Sequence, residues 1–213
     1  MRILQVNKYN YIRGGAEKYF IEITKELREL GHQVAIFSMN HPNNIPSDFD
    51  KYFVSRISFN EGGLKNKVIG PFRILFSFEA RRKFRRLVKD FKPDVIHIHN
   101  IYHQISPSIL RVARKRKIPV IMHLHDYKLI SPNYQLYARG SVCYAGAAPN
   151  YFTCFWKKCF RDSYLASLLV SLEMFFHHTV FKLYEKSIAL YIAPSRFMKD
   201  ICVRFGVPSD LIT

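Results

Sequence analysis

Three groups of side chains along this sequence are of types that handle anions and protons. The first runs from Tyr9 through Arg13 to Gly14 and Gly15, the second is His97, His99, Asn100 and Tyr102, and the third is His123, His125, Asp126 and Tyr127. Two glycines that open a helix let the backbone approach a ligand closely, and the free N–H groups of that helix can face a phosphate. The bland alternative for Gly14-Gly15 is a flexible connection, and both readings stay open on the pair alone. The three spaced glycines of a dinucleotide fingerprint are not there.

The histidines come in pairs two residues apart, so on a strand each pair points to one face. Two such pairs with Asp126 could be drawn as a metal site. A histidine near a strand end is more commonly held by a hydrogen bond to a neighbour or a ligand. We therefore expect no metal, a substrate contact for His125, and packing roles for His97 and His123. Cys143, Cys154 and Cys159 lie at ten- and four-residue intervals, and only Cys154 and Cys159 approach the spacing of a zinc pair. Free or buried thiols are the expectation for all three, and a core position for Cys202. No Ser-His-Asp order, H-E-x-x-H, P-loop or paired carboxylate stands out, so the residues alone give an anion-binding α/β domain and no reaction.

The elements that must position these groups alternate between strand and helix, which predicts an open, mostly parallel Rossmann-like sheet with helices on both faces. Strand Arg2–Val6 leads to a helix over Gly15–Leu30, with Phe20, Ile23, Leu27 and Leu30 inward and Gly31 as its stop. Gln33–Ser38 is the second strand, and a further strand is expected near Tyr52–Ile57. Asp94–His99 and Pro119–Leu124 are the next strands, separated by a helix that Ser106 and Pro107 begin. After an irregular insert over Lys128–Arg161, Asp162 is expected to cap a helix reaching Ser187, with Leu165, Leu168, Leu169, Leu172, Phe175, Phe176 and Leu183 as its buried stripe. Ile188–Ala193 is the last strand, and Ser195 caps the last helix, which ends at Gly206. In such a sheet ligands bind beyond the carboxyl ends of the strands, where all three polar groups fall.

The chain has 213 residues, 48% of them hydrophobic, enough for one large domain with a full core, and disorder is excluded. No run reaches the ~20 apolar residues of a membrane span. With no signal peptide recognised ahead of the first strand, a cytoplasmic location is expected. The formal charge of +17 asks for an acidic partner or surface. Arg81–Phe91 sets Phe84, Leu87, Val88 and Phe91 against Arg81, Arg82, Arg85, Arg86 and Lys89, an amphipathic helix with a basic face. A second basic cluster, Arg111 and Arg114–Lys117, closes another helix, where cations suit the dipole. A solvated face, an anionic membrane surface and nucleic acid compete as readings. No nucleic-acid-reading motif is recognisable, and no nucleic-acid partner is expected.

Taken in order, Arg13-Gly14-Gly15-Ala16-Glu17, Pro93-Asp94-Val95-Ile96-His97-Ile98-His99, Pro119-Val120-Ile121 with Leu124-His125-Asp126-Tyr127, and Ala193-Pro194-Ser195 before Gly206-Val207-Pro208 resemble the N-terminal half of family 4 glycosyltransferases. The resemblance covers nearly the whole chain. It implies one of the two Rossmann-like domains of a GT-B enzyme, which moves a sugar from a nucleotide-sugar donor with retention and without a metal or other cofactor. It implies that Gly14 and Gly15 border the donor diphosphate and that His125 contacts the transferred sugar near the reacting centre. Tyr9, Arg13, His99, Asn100, Tyr102, Asp126 and Tyr127 are the expected acceptor-side residues, and a cell-surface polysaccharide or glycolipid is the expected acceptor. The nucleotide-holding domain lies outside residues 1–213, so this single acceptor-side domain alone is expected to be inactive. A peripheral position on an anionic membrane fits lipid-linked acceptors. The alternative from another class is a non-catalytic flavodoxin-like module for an anionic ligand or membrane.

Overall fold

A computed structural model describes residues 1–56 and 72–213 of the chain. Its main sheet has five strands: β1 (Arg2–Val6), β2 (Gln33–Phe37), β3 (Val95–Ile98), β4 (Val120–His123) and a last strand, β7 (Leu190–Ile192), in the order β2-β1-β3-β4-β7. The small strands β5 (Tyr137–Ala138) and β6 (Ser141–Val142) form a separate antiparallel pair. Residue packing divides the chain into two compact units. One comprises Met1–Met122 and Lys186–Ala189, the other His123–Glu185 and Leu190–Thr213.

In the first unit β1 pairs in parallel with β2 and β3, and β3 with β4. Register assigns the two sheet faces. Leu4, Ala35 and Ile96 share one row and Val6, Phe37 and Ile98 the next, and Phe37 meets Phe84 of helix α2 (Phe78–Phe91) edge to face at 5.1 Å. Gln5, Ile36 and His97 occupy the opposite face. There Ile36 packs with Phe20 of helix α1 (Gly15–Glu29) and with Phe53. Helices therefore cover both faces, as a parallel sheet requires.

Helix α1 ends in paired backbone bonds from Gly31 N–H to the Arg28 carbonyl (2.9 Å) and from His32 N–H to the Leu27 carbonyl (3.0 Å). Gly31 supplies the left-handed residue this closure needs, at φ 81°. The buried side of α1 is Glu17, Phe20 and Thr24. Ile23 and Leu27 are only half-buried, and Leu30, expected inward, is 73% exposed because it lies at the turned-out cap. The strand expected near Tyr52–Ile57 is instead a 3-10 turn at Asp50–Tyr52 followed by a single parallel bridge between Met39 and Val54. Ile57 lies outside the described residues.

Helix α2 has the amphipathic form expected for it: Ala80, Phe84, Leu87 and Val88 are buried, while Arg82, Arg85, Arg86 and Lys89 face solvent. Ser77 caps it through the Ala80 N–H. In its first turn Glu79 accepts from the Ser55 N–H (2.9 Å) and hydroxyl (2.6 Å) and pairs with Arg73 (2.9 Å) and Lys83 (3.2 Å). Helix α3 (Leu110–Lys115) follows a 3-10 turn over Pro107–Ile109, and Ser106 caps that turn.

In the second unit helix α4 (Thr153–Trp156) lies within the insert, and α5 runs over Tyr164–Met174. The cap of α5 is Ser163, whose hydroxyl accepts from the Ala166 N–H; the expected cap, Asp162, has φ 49° and pairs with Arg139 instead. The regular helix stops at Met174 and passes into a wider i→i+5 turn over Phe175–Val180, well short of Ser187. Its buried residues are Ser167, Val170, Ser171, Glu173 and Met174. Of the expected stripe, Leu165 is exposed, Leu168, Leu169, Leu172, Phe175 and Phe176 are half-buried, and Leu183, beyond the regular helix, is buried. Helix α6 (Arg196–Arg204) begins at Ser195, whose hydroxyl accepts from the Met198 N–H, and Gly206 follows it at φ 99°.

Burial works to raise the Glu79 carboxyl, but the hydrogen bonds from Ser55 and the cations Lys83 and Arg73 outweigh it and hold it below the ordinary value. Its stabilisation is thus present above the unfolded carboxyl's pKa and lost as pH falls through the lower folded value. Glu79→Gln should lower unfolding free energy at neutral pH by about 1–2 kcal/mol. In urea titrations the gap from the parent should close as pH drops below ~4, and a gap constant with pH would exclude the charge network as its source.

Candidate functional site

Gln5 lies in mid-strand with its side chain fully buried, where an unpaired amide would be costly. Its amide oxygen accepts from His99 Nε2 (2.9 Å) and its amide nitrogen donates to His97 Nδ1 (3.1 Å). The two rings are 4.4 Å apart on one face, as their spacing required. His99 is fully buried, edge-on to Phe20 at 5.2 Å, whereas His97 is half-buried.

One step along, Asn7 joins two strand ends. Its side-chain oxygen accepts from the Asn100 N–H (3.1 Å), its amide donates to the Tyr9 carbonyl (2.9 Å), and the Lys8 N–H donates to the Asn100 carbonyl (2.8 Å). Asn10 fastens the same loop by exchanging bonds with Ile45. Above this base lies a group of aromatic rings and cations. Lys8 Nζ sits 4.2 Å over the Tyr102 ring, the Arg13 guanidinium lies 4.9 Å over Tyr9 and donates to its hydroxyl, and Tyr11 stacks on His41 at 4.4 Å. Burial, with Arg56 and Arg13 adding to it, keeps the His41 imidazole below its ordinary pKa and neutral. Burial raises the Tyr9 phenol against the pull of Arg13. Tyr9, Arg13, His99, Asn100 and Tyr102 thus come together within the first unit, Tyr102 and Asn100 nearly buried and Arg13 exposed.

Gly14 is the N-cap of α1, in extended conformation, and no side chain caps this end. The first intrahelical bond runs from Lys18 N–H to the Gly14 carbonyl, so the N–H groups of Gly15, Ala16 and Glu17 point beyond the helix. A Cβ at Gly15 would meet nothing within 4 Å, and one at Gly14 would make only an ordinary contact with Glu17 Oε2 at 3.6 Å. Neither glycine is required by strain or crowding. What the pair leaves is open space at Gly15 in front of the helix end, with the Glu17 carboxylate beside Gly14.

In the second unit Leu124, the residue after β4, donates its N–H to the Ile192 carbonyl (2.9 Å), one residue before His125. His125 and Asp126 are half-buried, and the His125 ring stacks on the buried His123 at 4.7 Å. Burial lowers the His123 imidazole, which is neutral at pH 7. Asp126 Oδ1 accepts from the Lys128 N–H (2.9 Å), closing a tight turn, and burial raises the half-buried Tyr127 phenol. Lys128 then forms a buried ion pair with Glu173 at 2.7 Å. That pair, like Gln5 and Asn7, escaped the sequence reading. The signal for Gln5 and Asn7 was available as polar residues at the end of an apolar strand; Lys128 and Glu173 are 45 positions apart and carry no local mark.

Among the described residues no three His, Cys, Asp or Glu side chains are placed to share a metal ion. Cys143 and Cys159 approach to 3.5 Å between sulfurs, and Cys154 packs with Cys159 and Val170. Burial pushes the Cys159 thiol up to about 12 and raises that of Cys154, so both are protonated. Cys202 is fully buried, as expected for a core position.

The glycosyltransferase family 4 model matches residues 13–213. An uncharacterised 42.6 kDa protein in the cps region of Klebsiella pneumoniae is 32% identical over 154 residues, which are 66% of this chain and 41% of that protein. The chain thus spans under half the length of this curated relative. Among solved structures, the apo form of the lipopolysaccharide outer core galactosyltransferase WaaB aligns with the whole chain and 44% of its own, at a TM-score of 0.50 and 11% identity. UDP-GlcNAc 2-epimerase from Neisseria meningitidis covers the whole chain and 45% of its own, at 0.49 and 14%. The likeness to the galactosyltransferase concerns the fold alone. The match over residues 13–213 makes the chain a member of glycosyltransferase family 4, and its parallel sheet with helices on both faces is the N-terminal half of a GT-B fold.

Proposed function

We propose that this chain is the acceptor-side domain of a retaining hexosyltransferase that moves a sugar from a nucleotide-sugar donor to a cell-surface polysaccharide or glycolipid, without a metal. The observation that carries this reading is the open, uncapped N-terminus of α1 at Gly14-Gly15, inside a family match that spans nearly the whole chain. The relative from a cps region, which we read as a capsular-polysaccharide region, supports a surface glycan as acceptor.

The chemistry follows from charge. As the glycosidic bond to the donor breaks, the diphosphate gains negative charge. The N–H groups of Gly15, Ala16 and Glu17 are fixed donors that stabilise this charge without reorganising. His125 contacts the sugar that is transferred, and its stacked neighbour His123, neutral and buried, holds the ring in place. Tyr9, Arg13, Asn100, Tyr102, Asp126 and Tyr127 belong to the acceptor side, and His99 acts there through its bond to Gln5. A second domain that holds the nucleotide completes the enzyme, which works in the cytoplasm at the membrane; residues 1–213 alone do not turn over.

Sugar transfer by the full-length protein, followed with a panel of nucleotide-sugars and surface-glycan acceptors, tests the assignment. His125→Ala should lower kcat on the order of a hundredfold while circular dichroism stays unchanged; parental kinetics would remove His125 from the site. Gly15→Val should leave thermal stability within a few degrees, because the added atoms meet open space, yet raise the donor KM or lower kcat at least tenfold. A variant that loses fold and activity together would remove the phosphate role. Chelator-treated enzyme should keep its rate, and loss restored by a divalent cation would contradict metal independence.

A further inference from the structure

Leu165 of α5 is exposed while Leu168, Leu169 and Leu172 are half-buried, and the surface Leu165 joins is of an unusual kind for a water-facing one. Trp156 at the end of α4 is 73% exposed, Leu165 79% and Tyr164 52%. Phe155 links them, its ring 4.8 Å from Trp156 and 5.6 Å from Tyr164. A second run of rings continues beside α5: Phe152 to Phe175 at 5.6 Å, Phe175 to Phe176 at 5.8 Å, and Phe176 to Phe181 at 6.0 Å. The inward side of α5 explains the departure from the expected stripe. Ser171 donates to the Tyr151 carbonyl, Ser167 exchanges bonds with Phe160, and Glu173 holds Lys128. Polar groups with partners share the interior with Val170 and Met174, and Leu165 is left outside.

The charges around this surface are mostly cationic. Lys157 and Arg161 are exposed, and the Lys158 ammonium lies 4.3 Å over the Tyr164 ring. Between residues 152 and 182 the only acids are Asp162 and Glu173. Asp162 is paired with Arg139 at 2.8 Å, and Glu173 is buried against Lys128. Trp and Tyr with an apolar body and a polar tip, beside lysines whose stems can lie flat while the ammonium reaches outward, suit the boundary between acyl chains and headgroups. The cations suit anionic headgroups. Among the described residues no helix is long and apolar enough to cross a membrane, so the contact is with the surface.

We propose that the α4–α5 face, centred on Trp156, Tyr164 and Leu165, docks the protein on an anionic lipid bilayer. This deepens the membrane part of the function proposed above and rests on it only for the choice of an anionic leaflet. The contact differs from the basic face of α2, whose exposed aromatic residue, Phe78, lies at the first position of the helix.

The test uses full-length protein with vesicles of phosphatidylcholine alone and of phosphatidylcholine with phosphatidylglycerol at about three to one. The parent should sediment with the mixed vesicles, and its Trp156 emission, isolated by difference from Trp156→Phe, should shift to shorter wavelength. The double variant Trp156→Ala/Leu165→Ala should bind at least tenfold more weakly, and Lys157→Glu/Lys158→Glu should lose about tenfold or more of the preference for the mixed vesicles. Equal binding by parent and the Trp156/Leu165 variant, or no binding by the parent, overturns the proposal. So does loss of binding only on reversing Arg82, Arg85 and Arg86 of α2. A dimer in ultracentrifugation that the Trp156/Leu165 variant abolishes, without vesicle binding, would assign the face to a second copy and overturn it too. The assay contains neither donor nor acceptor, so failed sugar transfer alongside intact binding would count against the function alone.

Discussion

A parallel sheet covered on both faces has no water to offer a polar side chain, and β1 of this one carries the buried Gln5 near its end and the buried Asn7 one residue beyond it. Each must find its full set of partners inside the protein. Gln5 finds them in two histidines from the neighbouring strand, and Asn7 in the backbone of the two loops that leave the strand ends. The same bonds therefore satisfy the core and fix the loops that carry Tyr9, Arg13, Asn100 and Tyr102. Replacing Asn7 by an apolar residue would leave the Asn100 N–H without its acceptor, so core and site are not separable here.

The second unit uses a stronger version of the same device. Lys128 and Glu173 are almost without exposure, and two charges so placed are tolerable only as a well-aligned pair. Lys128 follows directly on the His125-Asp126-Tyr127 turn and donates its own N–H to Asp126. The loop bearing the proposed sugar contact is thus tied to α5 at one point, and breaking the pair would strand a buried charge three residues from His125.

Much of this was legible in the sequence wherever period and cap act locally. The strands of the main sheet, the stop of α1 at Gly31, the basic face of α2, and the caps Ser106 and Ser195 follow from alternation, apolar spacing and hydroxyls at helix starts. What was hidden is the part decided by distant partners. Helix α5 reads as a buried leucine stripe because Leu outranks Ser and Glu in any apolar pattern. Its real interior sets Ser167, Ser171 and Glu173 beside Val170 and Met174, and each of the three polar residues is satisfied by residues from the insert. Tyr52–Ile57 reads as a strand from its apolar residues, but Tyr52 turns to donate to Asp90 at 2.6 Å, and among residues 52–56 only Val54 bridges to a neighbouring strand end. Of the candidate site, the residue types and their positions at strand ends were readable; that His99 is sealed behind Gln5 while His125 stays half-open was not.

The open end of α1 and the half-open His125 give the proposed function its chemical content. Backbone amide exchange in the full-length protein, compared with and without bound nucleotide-sugar, reads both at once. Donor should slow exchange at residues 14–18 and at 125–128. Donor that binds, protects other parts of the protein and leaves both segments unchanged would contradict a donor-facing role for either.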